Sequence, residues 1–158
     1  MVDTRSVLIA DDDQSIRQLL RTIVQREGLA ADCASDGLEA IEKLRAREYA
    51  VILLDLMMPR ADGFEVIEYL KTNAPQQKPV VLVITAYADQ RFKKVDPDIV
   101  AGVLRKPFEV TELGALVRLC SAGYQEEVVQ RRSSAGGRAT TDLGGEGSED
   151  LSHAYTSN

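Results

Sequence analysis

The chain reads as an α/β domain, a doubly wound five-stranded parallel sheet with helices on both faces, and three observations carry that reading. Aliphatic runs rich in Val, Ile and Leu recur four times, a weaker strand-like run stands at Ala30 to Ala34, and stretches with helix-like spacing of apolar residues separate them. Such alternation is the signature of consecutive βα units, whose crossovers are right-handed and place helices over both faces of the sheet. The third observation is chemical. Val7-Leu8-Ile9-Ala10 runs into Asp11-Asp12-Asp13, Val51-Ile52-Leu53-Leu54 into Asp55, Val80 to Ile84 into Thr85, and Val100 to Leu104 stops just before Lys106. Carboxylates, a hydroxyl and a lysine therefore share one address, the crevice outside the carboxyl ends of the strands, where open parallel sheets place their chemistry.

Each element has its local reason. After the first strand, Ile16, Leu19, Leu20, Ile23 and Val24 recur at helical spacing, and Gly28 stops that helix. Ala30 to Ala34 is a weak second strand. Asp36-Gly37 opens a second helix carrying Leu38, Ile41 and Leu44, with Asp36 as its cap. Beyond Asp55, a loop with Pro59 and Asp62-Gly63 leads into a helix with Phe64, Val66, Ile67 and Leu70, and Pro75 and Pro79 bracket its exit. The fourth strand is followed by a short polar helix around Asp89 to Val95, the fifth strand, and a last helix from about Glu109 to Cys120. Residues 1–122 thus form the folded domain. From Gly123 the pattern dissolves: Glu126 to Arg132 could add a helical turn or two, but residues 133–158 are rich in Gly, Ser, Thr and acids and offer too little apolar surface to offset ordering entropy. Residues 123–158 are expected to be a largely disordered polar tail.

Composition narrows the function. With 19 basic and 25 acidic residues in 158, the net charge is -6, which disfavours nucleic acid as a direct partner. No apolar run reaches the roughly 18 residues of a membrane span, and Met1-Val2-Asp3-Thr4-Arg5 lacks the apolar core of a signal peptide, so a cytoplasmic location is expected. Cys33 and Cys120 are solitary and flanked by apolar or small residues, as reduced, buried side chains are. His153, the single histidine, lies in the tail and gives a histidine-based mechanism nothing to stand on.

Asp11, Asp12 and Asp55 gathered at one sheet edge would repel one another and need a counter-charge. Hard oxygen ligands with no His or Cys nearby point to Mg²⁺, which keeps waters and commonly completes its octahedron with a phosphoryl oxygen. One carboxylate can then act as a nucleophile toward phosphorus, Lys106 can neutralise phosphoryl charge, and Thr85 can donate to it. Asp13 is assigned instead to the helix N-terminus, where the dipole favours an acid.

At these residues the chain closely resembles the receiver domain of bacterial two-component response regulators. The matching stretches are Val7-Leu8-Ile9-Ala10-Asp11-Asp12-Asp13, Asp55-Leu56-Met57-Met58-Pro59 with Asp62-Gly63, Ile84-Thr85-Ala86 and Arg105-Lys106-Pro107-Phe108, in family order over about residues 5–121. The resemblance implies a flavodoxin-like sheet of order 2-1-3-4-5, Asp55 as phosphoacceptor, and Mg²⁺ held by Asp11, Asp12, Asp55 and the main-chain carbonyl of Met57. It also implies Thr85 and Lys106 as the phosphoryl-sensing pair, and a cis bond between Lys106 and Pro107. Met57 and Tyr87, two residues beyond the phosphoacceptor and two beyond the threonine, would flank the path of a hydrolytic water. Two positions depart from the family pattern. Val103 stands where many members carry a switching Tyr or Phe, and Ala101-Gly102 where many transcription-factor receivers place acids for cross-dimer ion pairs.

The resulting expectation is a stand-alone phosphoacceptor domain that catalyses only its own phosphorylation and dephosphorylation. It would take a phosphoryl group from a sensor histidine kinase or histidine phosphotransfer protein onto Asp55. It would then relay the group or engage an unknown output protein through a surface of the fourth helix, fifth strand and fifth helix. No direct nucleic-acid or membrane binding is expected, and the state is a monomer or a phosphorylation-dependent dimer. The alternatives are a phosphorylation-independent adaptor and a receiver fragment of a longer regulator. A phosphatase with an Asp nucleophile would be expected to carry a second Asp two residues later, and Met57 occupies that position.

Overall fold

A computed structural model of the chain describes residues 6–73, 78–86 and 95–141. Five strands, β1 (Ser6–Ala10), β2 (Ala30–Ala34), β3 (Val51–Leu54), β4 (Val80–Thr85) and β5 (Val100–Arg105), form one parallel sheet of order β2-β1-β3-β4-β5. The described helices are α1 (Gln14–Arg26), α2 (Gly37–Ala46), α3 (Gly63–Thr72) and α4 (Val110–Thr141). The expected strand order and strand positions are met. The short helix expected around Asp89 to Val95 falls, apart from Val95, outside the described residues, as do Tyr87, Pro75 and His153.

The two-residue period of the strands sorts the core into two layers. Leu8, Ala10, Ile52, Leu54, Val81 and Val83 pack with Ala40 of α2 and Val66, Ile67 and Leu70 of α3. The alternate strand residues Val7, Ile9, Val51, Leu53, Leu82 and Ile84 are equally buried, and α1 and α4 supply the buried Leu20, Ile23, Val24, Leu113 and Val117. Because the central strands are covered on both faces, they read as continuous apolar runs rather than alternating ones.

Helix starts follow their capping chemistry. Asp13, Asp36 and Asp62 are the N-caps of α1, α2 and α3, and each side chain accepts from a backbone N–H of the first turn. Asp13 and Asp36 therefore do the capping work assigned to them from sequence. Gly28 terminates α1 with φ 78°, its N–H donating to the Gln25 carbonyl at 3.0 Å.

The last helix corrects the sequence reading. Expected to end near Cys120 and give way to a disordered tail at 123, it continues to Thr141, and residues 142–158 lie outside the described residues. A scarcity of apolar residues does not exclude helix here: Ser121 and Tyr124 are buried and carry the packed part of α4 past the expected end. Further on, residues 125–132 are rich in Glu, Gln and Arg and place Glu127 four residues before Arg131, both of which favour helix. The chain divides into two compact units, residues 1–126 and 127–158.

Candidate phosphoacceptor site

Strand register brings the sequence-selected residues to one edge. Asp55 follows β3 and its N–H donates to the Ala10 carbonyl at 2.9 Å, while the Asp11 N–H donates to the Ala34 carbonyl at 3.2 Å and the Lys106 N–H to the Thr85 carbonyl at 2.9 Å. Each main chain step past a strand end is thus tied to the neighbouring strand. The side chains project into the same crevice: carboxylate oxygens of Asp11, Asp12 and Asp55 all lie within 4.8 Å of one another. Lys106 Nζ donates to Asp11 Oδ2 at 2.7 Å and reaches Asp55 Oδ2 at 3.3 Å.

Burial sets the electrostatics. Asp11 is 1% and Asp55 6% exposed, whereas Asp12 is exposed. Loss of hydration raises the Asp55 pKa; Lys106 and the Met57 N–H oppose that rise and the Asp11 charge adds to it. For Lys106, burial works against the charge, but the hydrogen bond to Asp11 and the negative charges of Asp55 and Asp11 outweigh it and raise the pKa. The lysine is therefore a firmly charged counter-ion, and one cation shared between two buried carboxylates leaves the site short of positive charge.

The remaining site residues take distinct positions. Thr85, buried at the end of β4, stands beside Lys106 on the same edge. Met57 donates its N–H to Asp55 Oδ1 at 3.2 Å, and its side chain is 43% exposed on the loop above the acid. The Lys106–Pro107 peptide is cis, as expected. Val103 is 41% exposed on β5, and Cys33 and Cys120 are free, half-buried thiols whose pKa burial raises.

Three residues at or beside this edge were missed from sequence. Arg17, one turn into α1, donates from its guanidinium to the Asp11 carbonyl at 2.7 Å. A basic residue six positions after an acidic strand end, on the turn facing back toward it, was the available signal. Arg60 pairs with Asp36, and Gly63 lies against the main chain of Asp55: a Cβ there would come within 2.5 Å of the Asp55 carbonyl oxygen. The sequence marks Asp62-Gly63 only as the end of the loop leading into the third helix and as part of the family signature, neither of which reveals the close approach.

The donor chemistry fits a hard divalent cation: clustered carboxylate oxygens, no nitrogen or sulfur ligand among the described residues of the cluster, and an uncompensated negative charge. Among the described residues no helix is long and apolar enough to cross a membrane.

Comparison with known proteins agrees with this geometry. The family model of the response regulator receiver domain matches residues 7–118. The transcriptional regulatory protein TctD of Salmonella typhimurium is 37% identical over 130 residues, covering 78% of this chain and 56% of that protein. The DNA-binding transcriptional regulator NtrC of Escherichia coli is 32% identical over 146 residues, covering 89% of this chain and 29% of that one. Among solved structures, the response regulator protein TrrA from Thermotoga maritima, in complex with Mg²⁺ and BeF, superposes with a TM-score of 0.65 at 28% identity, covering 73% of this chain and 98% of that one. The chain spans about half the length of TctD and under a third of NtrC. These relatives overturn one expectation. The net charge of -6 was read as disfavouring nucleic acid, but similar receivers belong to regulators named for transcription and DNA binding, so this chain's charge is no measure of the output it serves. On sequence, sheet order and the matched span alike, the chain belongs to the response regulator receiver domain family.

Proposed function

We propose that Asp55 accepts a phosphoryl group from the phosphohistidine of a sensor histidine kinase or histidine phosphotransfer protein, and that the phosphorylated domain controls an output directed at gene expression. The observation that carries the first part is the shared lysine: Lys106 Nζ within hydrogen-bond reach of both Asp11 and Asp55, beside the exposed Asp12. The second part is supported by relatives named as transcriptional regulators. The domain sits in the cytoplasm, where a phosphohistidine donor is available, and acts only on its own phosphoryl group.

An Asp55 carboxylate oxygen attacks phosphorus as the bond to the donor imidazole nitrogen breaks, and the imidazole leaves with the bonding electron pair. Asp11, Asp12, Asp55 and the Met57 carbonyl would hold Mg²⁺, which when bound supplies charge neutralisation to the transferring group. Lys106, already charged and held between Asp11 and Asp55, is placed to exchange its carboxylate partner for a phosphoryl oxygen. Thr85 donates its hydroxyl to a second oxygen. These small inward movements bias the surface around β5 and the adjoining start of α4 between two pre-existing arrangements.

Incubation with acetyl phosphate and Mg²⁺, followed by intact-mass measurement, tests the reading. One phosphoryl group per chain is expected on the parent and none on Asp55→Asn, with EDTA abolishing the gain. Stoichiometric Mg²⁺-dependent labelling of Asp55→Asn would remove the assignment.

A further inference from the structure

The loop joining β3 to α3 contains a residue in a costly conformation. Arg60 has φ 62°, the left-handed region, and is the one non-glycine with positive φ among the described residues. A long side chain there is held against its own preference, so the surroundings must compensate. The compensation is visible. Arg60 Nε donates to Asp36 Oδ2 at 2.7 Å, and a terminal nitrogen of the same guanidinium meets the same oxygen. The other oxygen of Asp36 accepts the Glu39 N–H at 2.9 Å as the cap of α2. One buried carboxylate thus fastens a helix start with one oxygen and a loop with the other. Next to it, the Gly37 N–H donates to the Ala61 carbonyl at 2.9 Å, and a Cβ on Gly37 would collide with Ala61. Two consecutive loop residues, 60 and 61, are therefore fixed to the N-terminus of α2. The same loop begins at Asp55 and contains Met57.

We propose that Asp36 and Arg60 form a positioning clamp, which holds the loop from Asp55 to Asp62 in the conformation that gives the divalent-cation site its Met57 carbonyl. This rests on the receiver reading above and adds two positioning residues outside the acidic cluster. The Arg60 side chain is largely exposed, so as a bare ion pair it would contribute little to stability. Its effect is on loop conformation: with the pair broken, the side chain at position 60 no longer ties the loop to the start of α2, and the loop is free to leave the arrangement that presents the Met57 carbonyl.

Calorimetric Mg²⁺ titration of the full chain, with melting temperatures in EDTA alongside, tests the clamp in the parent, Arg60→Gly, Asp36→Asn and the double variant. Glycine removes both the strain and the pair, so Arg60→Gly should melt no lower than the parent in EDTA and yet bind Mg²⁺ about tenfold more weakly, the scale seen when supports of metal ligands are lost. Coulomb's law alone gives the opposite sign, because deleting a cation near an acidic site tightens cation binding. Asn retains the capping group at position 36, so Asp36→Asn should fold and weaken Mg²⁺ by a similar factor. The double variant should be no weaker than either single one, since both remove the same clamp. If Arg60→Gly binds Mg²⁺ as tightly as the parent or tighter, or if the two losses multiply, the clamp is overturned while the receiver reading stands. If Asp36→Asn does not fold, Arg60→Gly alone decides. A parent that binds no Mg²⁺ would overturn the metal-site reading itself, and the clamp with it.

Discussion

Lys106 bonds to both buried carboxylates of the site, Asp11 and Asp55, and this makes it the residue whose loss is felt twice. Without a metal, Lys106→Ala leaves Asp11 and Asp55 facing each other without their shared lysine, which should cost about 3 kcal/mol of stability. Saturating Mg²⁺ restores positive charge and should recover most of that loss, read as a larger Mg²⁺-induced rise in melting temperature for the variant than for the parent. An equal rise in both would mean that the lysine and the cation do not serve the same charges. Met57 bears on a different property, the lifetime of the signal. Its thioether is exposed on the loop beside Asp55, where it can exclude water without offering a base to orient it. Phosphate release from the isolated phosphoprotein should therefore be slow, and Met57→Asn and Tyr87→Glu should each hasten it. Release at the parent's rate from both variants would show that neither side chain shields the phosphoryl group.

At the scale of elements, the site depends on how tightly the β3–α3 loop is seated against its neighbours. The Gly63 N–H donates to the Leu56 carbonyl at 3.0 Å, and a Cβ at this position would lie 2.5 Å from the Asp55 carbonyl oxygen and 2.7 Å from Leu56 Cα. Both obstacles are backbone, so Gly63→Ala must displace the main chain that carries the phosphoacceptor. A stability loss of about 1–3 kcal/mol is expected from the overpacking, with acetyl phosphate labelling slowed at least tenfold even under conditions where the variant is folded. Labelling at the parent's rate would show that the loop can shift without moving Asp55. This dependence also explains what could be read from the sequence. Strand ends were legible because each apolar run stops at a residue with chemistry, and the caps were legible because Asp before a helix has one common use. The Arg60–Asp36 pair spans 24 positions of sequence and the Gly63–Asp55 approach depends on backbone packing, so neither leaves a local pattern. The length of α4 was missed for a different reason: just past its last buried residues the run from Gln125 to Arg132 favours helix by propensity, which apolar periodicity does not register, while nothing in the sequence explains the continuation through Gly136-Gly137 to Thr141.

For the molecule as a whole, the sheet, α1 to α3 and the packed first part of α4 lie within the first compact unit, residues 1–126, and the family match ends at 118. All the core side chains named above belong to that unit. Deleting residues 133–158 should therefore change the melting temperature by less than about 2 °C; a loss of several degrees would show that the segment contributes to the stability of the sheet domain. Whether Asp11, Asp12, Met57, Thr85 and Lys106 combine to make Asp55 a phosphoacceptor is decided by locating the acyl phosphate. After labelling with acetyl phosphate and Mg²⁺, borohydride converts a phosphorylated aspartate to homoserine and marks the acceptor in a peptide mass map. Homoserine is expected at position 55 alone and absent when Mg²⁺ is chelated; homoserine at Asp11 or Asp12, or none on a folded, Mg²⁺-loaded chain, would overturn the assignment of Asp55.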